Sequence, residues 1–168
     1  MKKMFNIILA ASVCFLFSFA TGRAEGTSIG GGLALGTKSD GFGSSALGID
    51  LRGVHIINDK VRIGGDFEFF FAEGDATFWI LDGNVHYIFV DDDVVFYGLA
   101  GLGILYVSYP FISPFTGTED SISDTNLALN LGGGVDFPTK FGAVFAELKF
   151  QIEDGNQIVI AGGVRFDI

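Results

Sequence analysis

Few side chains in this 168-residue chain combine reactivity with spacing that could do chemistry. It holds two histidines, His55 and His86, and one cysteine, Cys14. A single cysteine provides neither a disulfide framework nor a cysteine-based zinc site. The more systematic feature is charge set at every second or fourth residue of apolar stretches: Asp50 with Arg52; Arg62 with Asp66 and Glu68; Asp82 with His86; Glu147 with Lys149; and Arg165 near the end. In an extended chain, residues two apart share a face, so each group puts its charges on one side of a strand. Two kinds of chemistry suit such a set, an ion pathway or an interlocked array of opposite charges. A further group of acids, Asp40, Glu73, Asp75, Glu119, Asp120, Asp124, Glu153 and Asp154, has no calcium-loop spacing, and Asp91 to Asp93 reads as a turn. No metal and no cofactor is expected.

The elements that must carry these residues come from an unusual composition. Hydrophobic residues make up 49% and charged residues 18%, against about 25% charged in an ordinary soluble domain. With 25 Gly, 19 Phe and 3 Pro, this excludes disorder and points to a membrane class. The length allows one domain. A net charge of −10 argues against nucleic acid, whose phosphates select basic surfaces.

Residues 1–24 read as a secretory signal peptide. Lys2 and Lys3 form the charged start, Ile7 to Phe19 the apolar run, and small residues offer cleavage after Ala20 or Ala24. The run is shorter than the ~20 residues of a bilayer-spanning helix, and Cys14 lies inside it, which argues against a lipid anchor. Removing the leader takes away Lys2, Lys3 and Arg23 and no acid, so the net charge falls from −10 to −13. Residues 25–168 form the remaining domain.

No later stretch is long and apolar enough for a transmembrane helix, which leaves strands as the spanning element. The periodicity predicts eight, over 27–37, 44–57, 61–71, 77–89, 94–108, 125–137, 141–152 and 157–168. Short turns at Asn58 to Lys60, Asp91 to Asp93 and Pro138 to Lys140 alternate with a second set of connections over 38–43, 72–76, 109–124 and 153–156. An even number of strands with short turns at one end and longer loops at the other is the construction of an outer-membrane barrel.

Within the segments the period is two. Val61, Ile63, Gly65, Phe67, Phe69 and Phe71 oppose Arg62, Gly64, Asp66, Glu68 and Phe70; Leu127, Leu129 and Leu131 oppose Asn126, Ala128 and Asn130. The fifth segment has no polar face, so its phase is open. A soluble barrel shares this alternation with the apolar face inward. Here the polar face is largely Gly, Ala and Asn with a few charges, which suits a narrow lumen that side chains fill. The aromatic residues gather near strand ends, with Tyr87, Phe89, Tyr97, Phe137, Phe141 and Phe166 toward the short turns and Phe69, Phe71, Trp79 and Phe150 toward the longer loops, as two interfacial girdles. The reading is all-β, an eight-stranded antiparallel transmembrane barrel preceded by a cleaved signal peptide.

Three stretches resemble the small outer-membrane β-barrel family that includes OmpX, the OmpA membrane domain and the opacity proteins. They are Phe96-Tyr97-Gly98-Leu99-Ala100-Gly101-Leu102-Gly103, Gly132-Gly133-Gly134-Val135-Asp136, and the terminal Gly163-Val164-Arg165-Phe166-Asp167-Ile168. In the last, Gly163, Phe166 and Ile168 are similar to a C-terminal signal read by the outer-membrane assembly machinery, with Ile168 where Phe is commoner. The resemblance implies a Gram-negative outer membrane, periplasmic termini, and contact with outer-membrane lipid and lipopolysaccharide. It covers adhesins, structural proteins and small pores, so it says little of activity.

Three functions follow as expectations. The first is a non-enzymatic structural or surface-interaction role, adhesin-like, with Asp50, Arg52, Arg62, Asp66, Glu68, Asp82, His86, Glu147, Lys149 and Arg165 as a salt-bridge network filling the lumen. A buried charge without a partner costs several kcal/mol, so opposite charges should pair there. The connector from Tyr109 to Asp124 then provides the contact surface, through Tyr109, Phe111, Ile112 and Phe115 between Pro110 and Pro114, toward an unknown surface ligand. The second is a lipid-A-modifying enzyme, which would need a histidine with a serine and an acid near the outer leaflet, whereas His55 and His86 both fall toward the short-turn end. The third is a small solute pore.

Overall fold

The computed structural model describes residues 26–38, 45–71, 76–112, 119–153 and 156–168, without the side chains of Lys38, Glu119 and Asp120. The expected leader, residues 1–24, lies outside the described residues, as do Asp40, Glu73, Asp75, Asp154, Pro114 and Phe115. The strands are β1 (Thr27–Lys38), β2 (Ala46–Asn58), β3 (Val61–Phe70), β4 (Thr77–Asp91), β5 (Val95–Ile112), β6 (Glu119–Thr139), β7 (Gly142–Ile152) and β8 (Gln157–Asp167). All neighbours are antiparallel, and β1 pairs with β8 to close the barrel.

Local chemistry sets the tight turns. Asn58 Oδ1 accepts from the backbone N–H of Lys60 at 2.9 Å and of Val61 at 3.0 Å, an Asx turn that reverses the chain between β2 and β3. Gly142 opens β7 at φ +144°, and a Cβ there would strike the carbonyl of Arg165. Register shifts between Ile56 and Asn58 and between Ile88 and Val90 put bulges at the short-turn ends of β2 and β4.

Alternation decides the facing. Leu129 is 45% exposed and its neighbour Asn130 is 0% exposed, and the same step recurs around the barrel. The outward positions between the girdles hold Ile, Leu, Val, Ala and Gly, with His55 toward the turn end and no Asp, Glu, Lys or Arg among the described side chains. Such a wall fits hydrocarbon and not water. At the loop end Trp79 stacks on Tyr106, ring centroids 5.2 Å apart, with Phe67 at 6.2 Å from Trp79; at the turn end Tyr87 meets Phe89 at 5.3 Å.

The structure differs from expectation in three places. It gives β5 a phase that its two apolar faces concealed: Val95, Tyr97, Leu99, Leu105 and Val107 point inward, while Phe96, Leu102 and Ile104 point outward. Tyr97, expected in the girdle, is therefore inside the lumen. The connector from Tyr109 to Asp124 is not a loop over most of its length, because β5 and β6 continue their ladder as Tyr109↔Ile122, Pro110↔Ser121, Phe111↔Asp120 and Ile112↔Glu119. Pro110 is compatible with this, since β4 begins at Thr77 opposite Ser108 and leaves β5 an edge strand beyond it. The lumen is also not filled by charge alone. Phe70, Phe78, Ile80, Leu105, Val107 and Val159 take inward positions and form an apolar layer, with Phe70 stacked on Phe78 at 4.9 Å, while Phe145 lies inward at the level of Asp136.

Candidate functional site in the lumen and at the loop end

Ion pairs and amides occupy the lumen in sequence from the turn end. Asp136 on β6 accepts from Arg62 on β3 at 2.6 Å and from Arg165 on β8 at 2.5 Å, both to Oδ2. Arg62 Nε also lies 3.1 Å from His86 Nδ1, and its guanidinium sits over the Tyr97 ring, 4.2 Å from the centroid. His86 stacks on the other ring partner, Tyr97, at 4.8 Å and 10°. The Tyr97 hydroxyl donates to Glu147 Oε2 at 2.7 Å, and Arg52 Nη1 reaches the same oxygen at 3.2 Å.

Arg52 on β2 joins the next set. Its Nε donates to Asp50 at 2.8 Å, lies 3.8 Å from Asp66, and its guanidinium covers the Phe145 ring at 3.8 Å. Lys149 on β7 meets Glu68 at 2.9 Å, pairs with Asp82, and lies 3.9 Å from Asp66. Amides fill the remaining sites: Asn84 donates to Asp66 at 2.7 Å, Asn130 to Asn84 at 3.1 Å, Gln151 to Asn130 and to Asp82 at 3.2 Å, and Gln157 to Gln151 at 2.6 Å. Beyond the amides toward the loop end lies the apolar layer of Phe70, Phe78 and Val107.

All the charged residues singled out in the sequence for the lumen are buried, and the structure brings them into contact across strands. Arg52 pairs with Asp50 of its own strand, but most partners lie on other strands. Arg62 reaches Asp136 and not Asp66 of its own face. Asp136 was legible from the parity it shares with Asn130, Gly132 and Gly134, whereas Tyr97 carried no signal because both faces of its segment are apolar. His55, half-buried on the wall, lies 2.9 Å from the Thr27 hydroxyl. Neither histidine has a serine partner among the described residues, and both belong to the turn half, through Thr27↔His55 and Arg62↔His86. No group of His, Cys, Asp and Glu among the described residues is arranged to hold a metal ion.

At the loop end the wall and the β5–β6 hairpin part company. The register between β6 and β7 begins at Leu129↔Ile152, and that between β4 and β5 at Thr77↔Ser108, so the hairpin above these pairs projects past its neighbours. Tyr109 is half-buried and packs on the apolar layer, while Phe111, Ile112 and Ile122 are exposed, the last at 62%. Ile112 faces away from the Tyr109 and Phe111 side. At the chain's other end of interest, Gly163 lies against β1 so closely that a Cβ would strike the Gly31 carbonyl, Phe166 is exposed on the wall, and Ile168 N donates to Thr27 O at 3.0 Å.

No protein-family model matches the chain, and no curated protein matches it. Solved structures do. Neisserial surface protein A is 20% identical with a TM-score of 0.61, covering 84% of this chain and 96% of that one. The N-terminal β-barrel domain of Pseudomonas aeruginosa OprF is 15% identical with a TM-score of 0.58, covering 83% and 97%. Ail, the attachment invasion locus protein of Yersinia pestis, is 21% identical with a TM-score of 0.55, covering 83% and 96%. A second Ail structure, in complex with the heparin analogue sucrose octasulfate, is 24% identical with a TM-score of 0.53, covering 83% and 96%. The chain thus has the fold of the small eight-stranded outer-membrane β-barrels, the fold that its glycine-rich and terminal motifs resemble.

Proposed function

We propose that this is a non-enzymatic protein of the Gram-negative outer membrane whose barrel, with periplasmic termini, holds the β5–β6 hairpin out from the cell as a surface-contact element. The observation that carries this reading is the ladder from Tyr109↔Ile122 to Ile112↔Glu119, which stands above Thr77 and Ile152 of the neighbouring strands. A paired hairpin keeps a fixed direction, and its exposed Phe111, Ile112 and Ile122 are apolar groups that contact would bury. The names of Ail, an attachment and invasion protein, and of a Neisserial surface protein lend support at the level of fold. The polyanion bound by Ail does not carry over, because Arg52, Arg62, Lys149 and Arg165 are all turned into the lumen.

The lumen favours a closed barrel over a pore. Eight strands leave an interior that side chains just fill, and here ion pairs, amides and the apolar layer occupy it in series. Lipid A editing is disfavoured by the two histidines, both in the turn half and away from the hairpin.

The test replaces Phe111 to Thr118 by a short turn. The barrel should fold and insert as before while whole cells lose attachment to their target surface, and lipid A from the strain should be chemically unchanged. Unchanged attachment would leave a structural role only, a lipid A difference dependent on the protein would favour the enzyme, and a stable porin-like conductance in planar bilayers would favour the pore.

A further inference from the structure

The lumen carries its charges unevenly along the barrel. At the turn end, Arg62 is the second residue of β3, Arg165 the third from the end of β8 and Asp136 the fourth from the end of β6. Both guanidiniums end on one oxygen of Asp136, so two cations share one anion. Deeper in the lumen the ratio reverses, and Asp50, Asp66, Glu68, Asp82 and Glu147 are shared between Arg52 and Lys149. Glu147 accepts from Arg52 and from the Tyr97 hydroxyl, not from the turn-end pair.

The two arginines also have donors left over. Arg62 gives Nη1 to Asp136 and Nε to His86 Nδ1, while Arg165 gives Nη2 to Asp136 and holds Nη1 3.5 Å from the Ser28 hydroxyl. Arg62 Nη2 and Arg165 Nε are buried without a hydrogen-bond partner among the described residues, and so is Asp136 Oδ1. Covalent geometry keeps both donors within one guanidinium's width of the shared Asp136 contact. A buried charged donor without an acceptor is more costly than a neutral one. Water satisfies an orphaned carboxylate oxygen, but only an anion offsets the second guanidinium. The site is within reach of solvent, since both arginine side chains keep 7% exposure against 2% for Asp136. Ile56, Pro138 and Asp167, beyond them on the inward side, are exposed.

We infer that the turn-end mouth of the lumen binds one small anion of the chloride class, held by the Arg62 Nη2–H and Arg165 Nε–H groups. Charge and size set the class. Two guanidiniums on one carboxylate leave a single positive charge to offset, which one monovalent ion does through charge-assisted bonds. A mouth in which the arginines are almost wholly buried admits an ion of one or a few atoms and excludes a polyanion or a phosphorylated headgroup. The acids deeper in the lumen repel the same ion, so it is bound at the mouth and not conducted. The site lies at the end opposite the β5–β6 hairpin and is independent of what the hairpin contacts.

The full chain refolded in micelles of an uncharged detergent tests it, by urea unfolding at neutral pH and fixed ionic strength while sodium chloride replaces sodium gluconate. An ion that binds only the folded state raises the unfolding midpoint saturably. In the native chain the midpoint should rise with chloride and level off. In Asp136→Asn, where chloride takes the place of the lost carboxylate, the rise should be larger and reach half its extent at about tenfold lower chloride. In Arg165→Met, where Arg62 and Asp136 offset each other, the rise should be absent while the barrel keeps its heat-modifiable mobility on gels. Bromide in crystals of the native protein should give an anomalous-scattering peak in contact with both guanidiniums, a measurement that decides the matter even if a variant fails to fold. Equal responses of the three chains, a rise without saturation, or bromide at surface positions as an adventitious ion only overturns the inference.

Discussion

Arg62 and Arg165, from strands on different sides of the barrel, end on the same oxygen of Asp136, at 2.6 Å and 2.5 Å. One carboxylate thus compensates two buried guanidiniums, and its removal is the more damaging change. Asp136→Asn should destabilise the barrel by about 3–5 kcal/mol, because it leaves two buried cations with a neutral partner. Arg62→Met should be milder, since Arg165 still neutralises Asp136. Urea unfolding in micelles gives the order, and a larger loss for Arg62→Met would contradict this geometry.

Depth in the wall gives a second prediction. Leu102 faces outward between Phe96 of one girdle and Tyr106 of the other, whereas Phe137, also outward, stands at the turn-end rim two residues before Thr139, the last residue of β6. An arginine on the lipid face costs ~2–4 kcal/mol near the midplane and ~0–1 kcal/mol near the interface. Leu102→Arg should therefore be clearly worse than Phe137→Arg when both are refolded into lipid vesicles. Equal penalties would mean that the membrane boundary is misplaced.

The contrast between these regions explains what could be read in the sequence. In β3 and β6 charged, amide and small residues alternate with large apolar ones, so strand number and turn ends follow from the period, and the make-up of the polar face sets which side is the lumen. In β5 the lumen side is Val95, Tyr97, Leu99, Leu105 and Val107, as apolar as the wall, and only tertiary packing separates the faces. The hairpin extension was hidden for another reason: Pro110, Pro114 and Gly117 are turn residues by local chemistry, and an edge position tolerates Pro110 in a strand. Asp50 and Arg52 pair as neighbours on one strand face, whereas partners across the lumen were illegible in principle, since Arg62 and Asp136 are 74 residues apart and only closure of the barrel brings them together.

The apolar layer yields a compensation test. A Cβ on Gly36 would lie 2.8 Å from Phe70 Cε1 and within 3.3 Å of two further atoms of that ring, with no backbone among its nearest neighbours. Gly36→Ala should be destabilising in the native background, by about 1–3 kcal/mol for overpacking. Combined with Phe70→Leu, which shortens the side chain it meets, Gly36→Ala should cost less than it does alone. Gly83, where an added Cβ meets nothing within 4 Å, is the control, and Gly83→Ala should be neutral or stabilising. A double mutant whose loss equals the sum of the single losses would place the clash elsewhere.

Pro110 gives the last prediction, which concerns association of the folded protein and not its stability. It pairs with Ser121 inside the β5–β6 ladder but lies beyond the first β4 residue, Thr77, which pairs with Ser108, and a proline fits such a ladder where the N–H it lacks is turned away from the partner strand. Replacing it restores a donor to an exposed strand, and an unblunted edge is a template for pairing with another chain. Pro110→Val should leave unfolding in micelles within about 0.5 kcal/mol of the native chain, as surface substitutions generally do. The same variant should self-associate more at high protein concentration, measured by sedimentation of the folded protein in detergent. Pro110→Lys, which restores the N–H but adds charge to the edge, should sediment like the native chain. If Pro110→Val remains as monomeric as the native protein, the β5 edge is closed by something other than its proline.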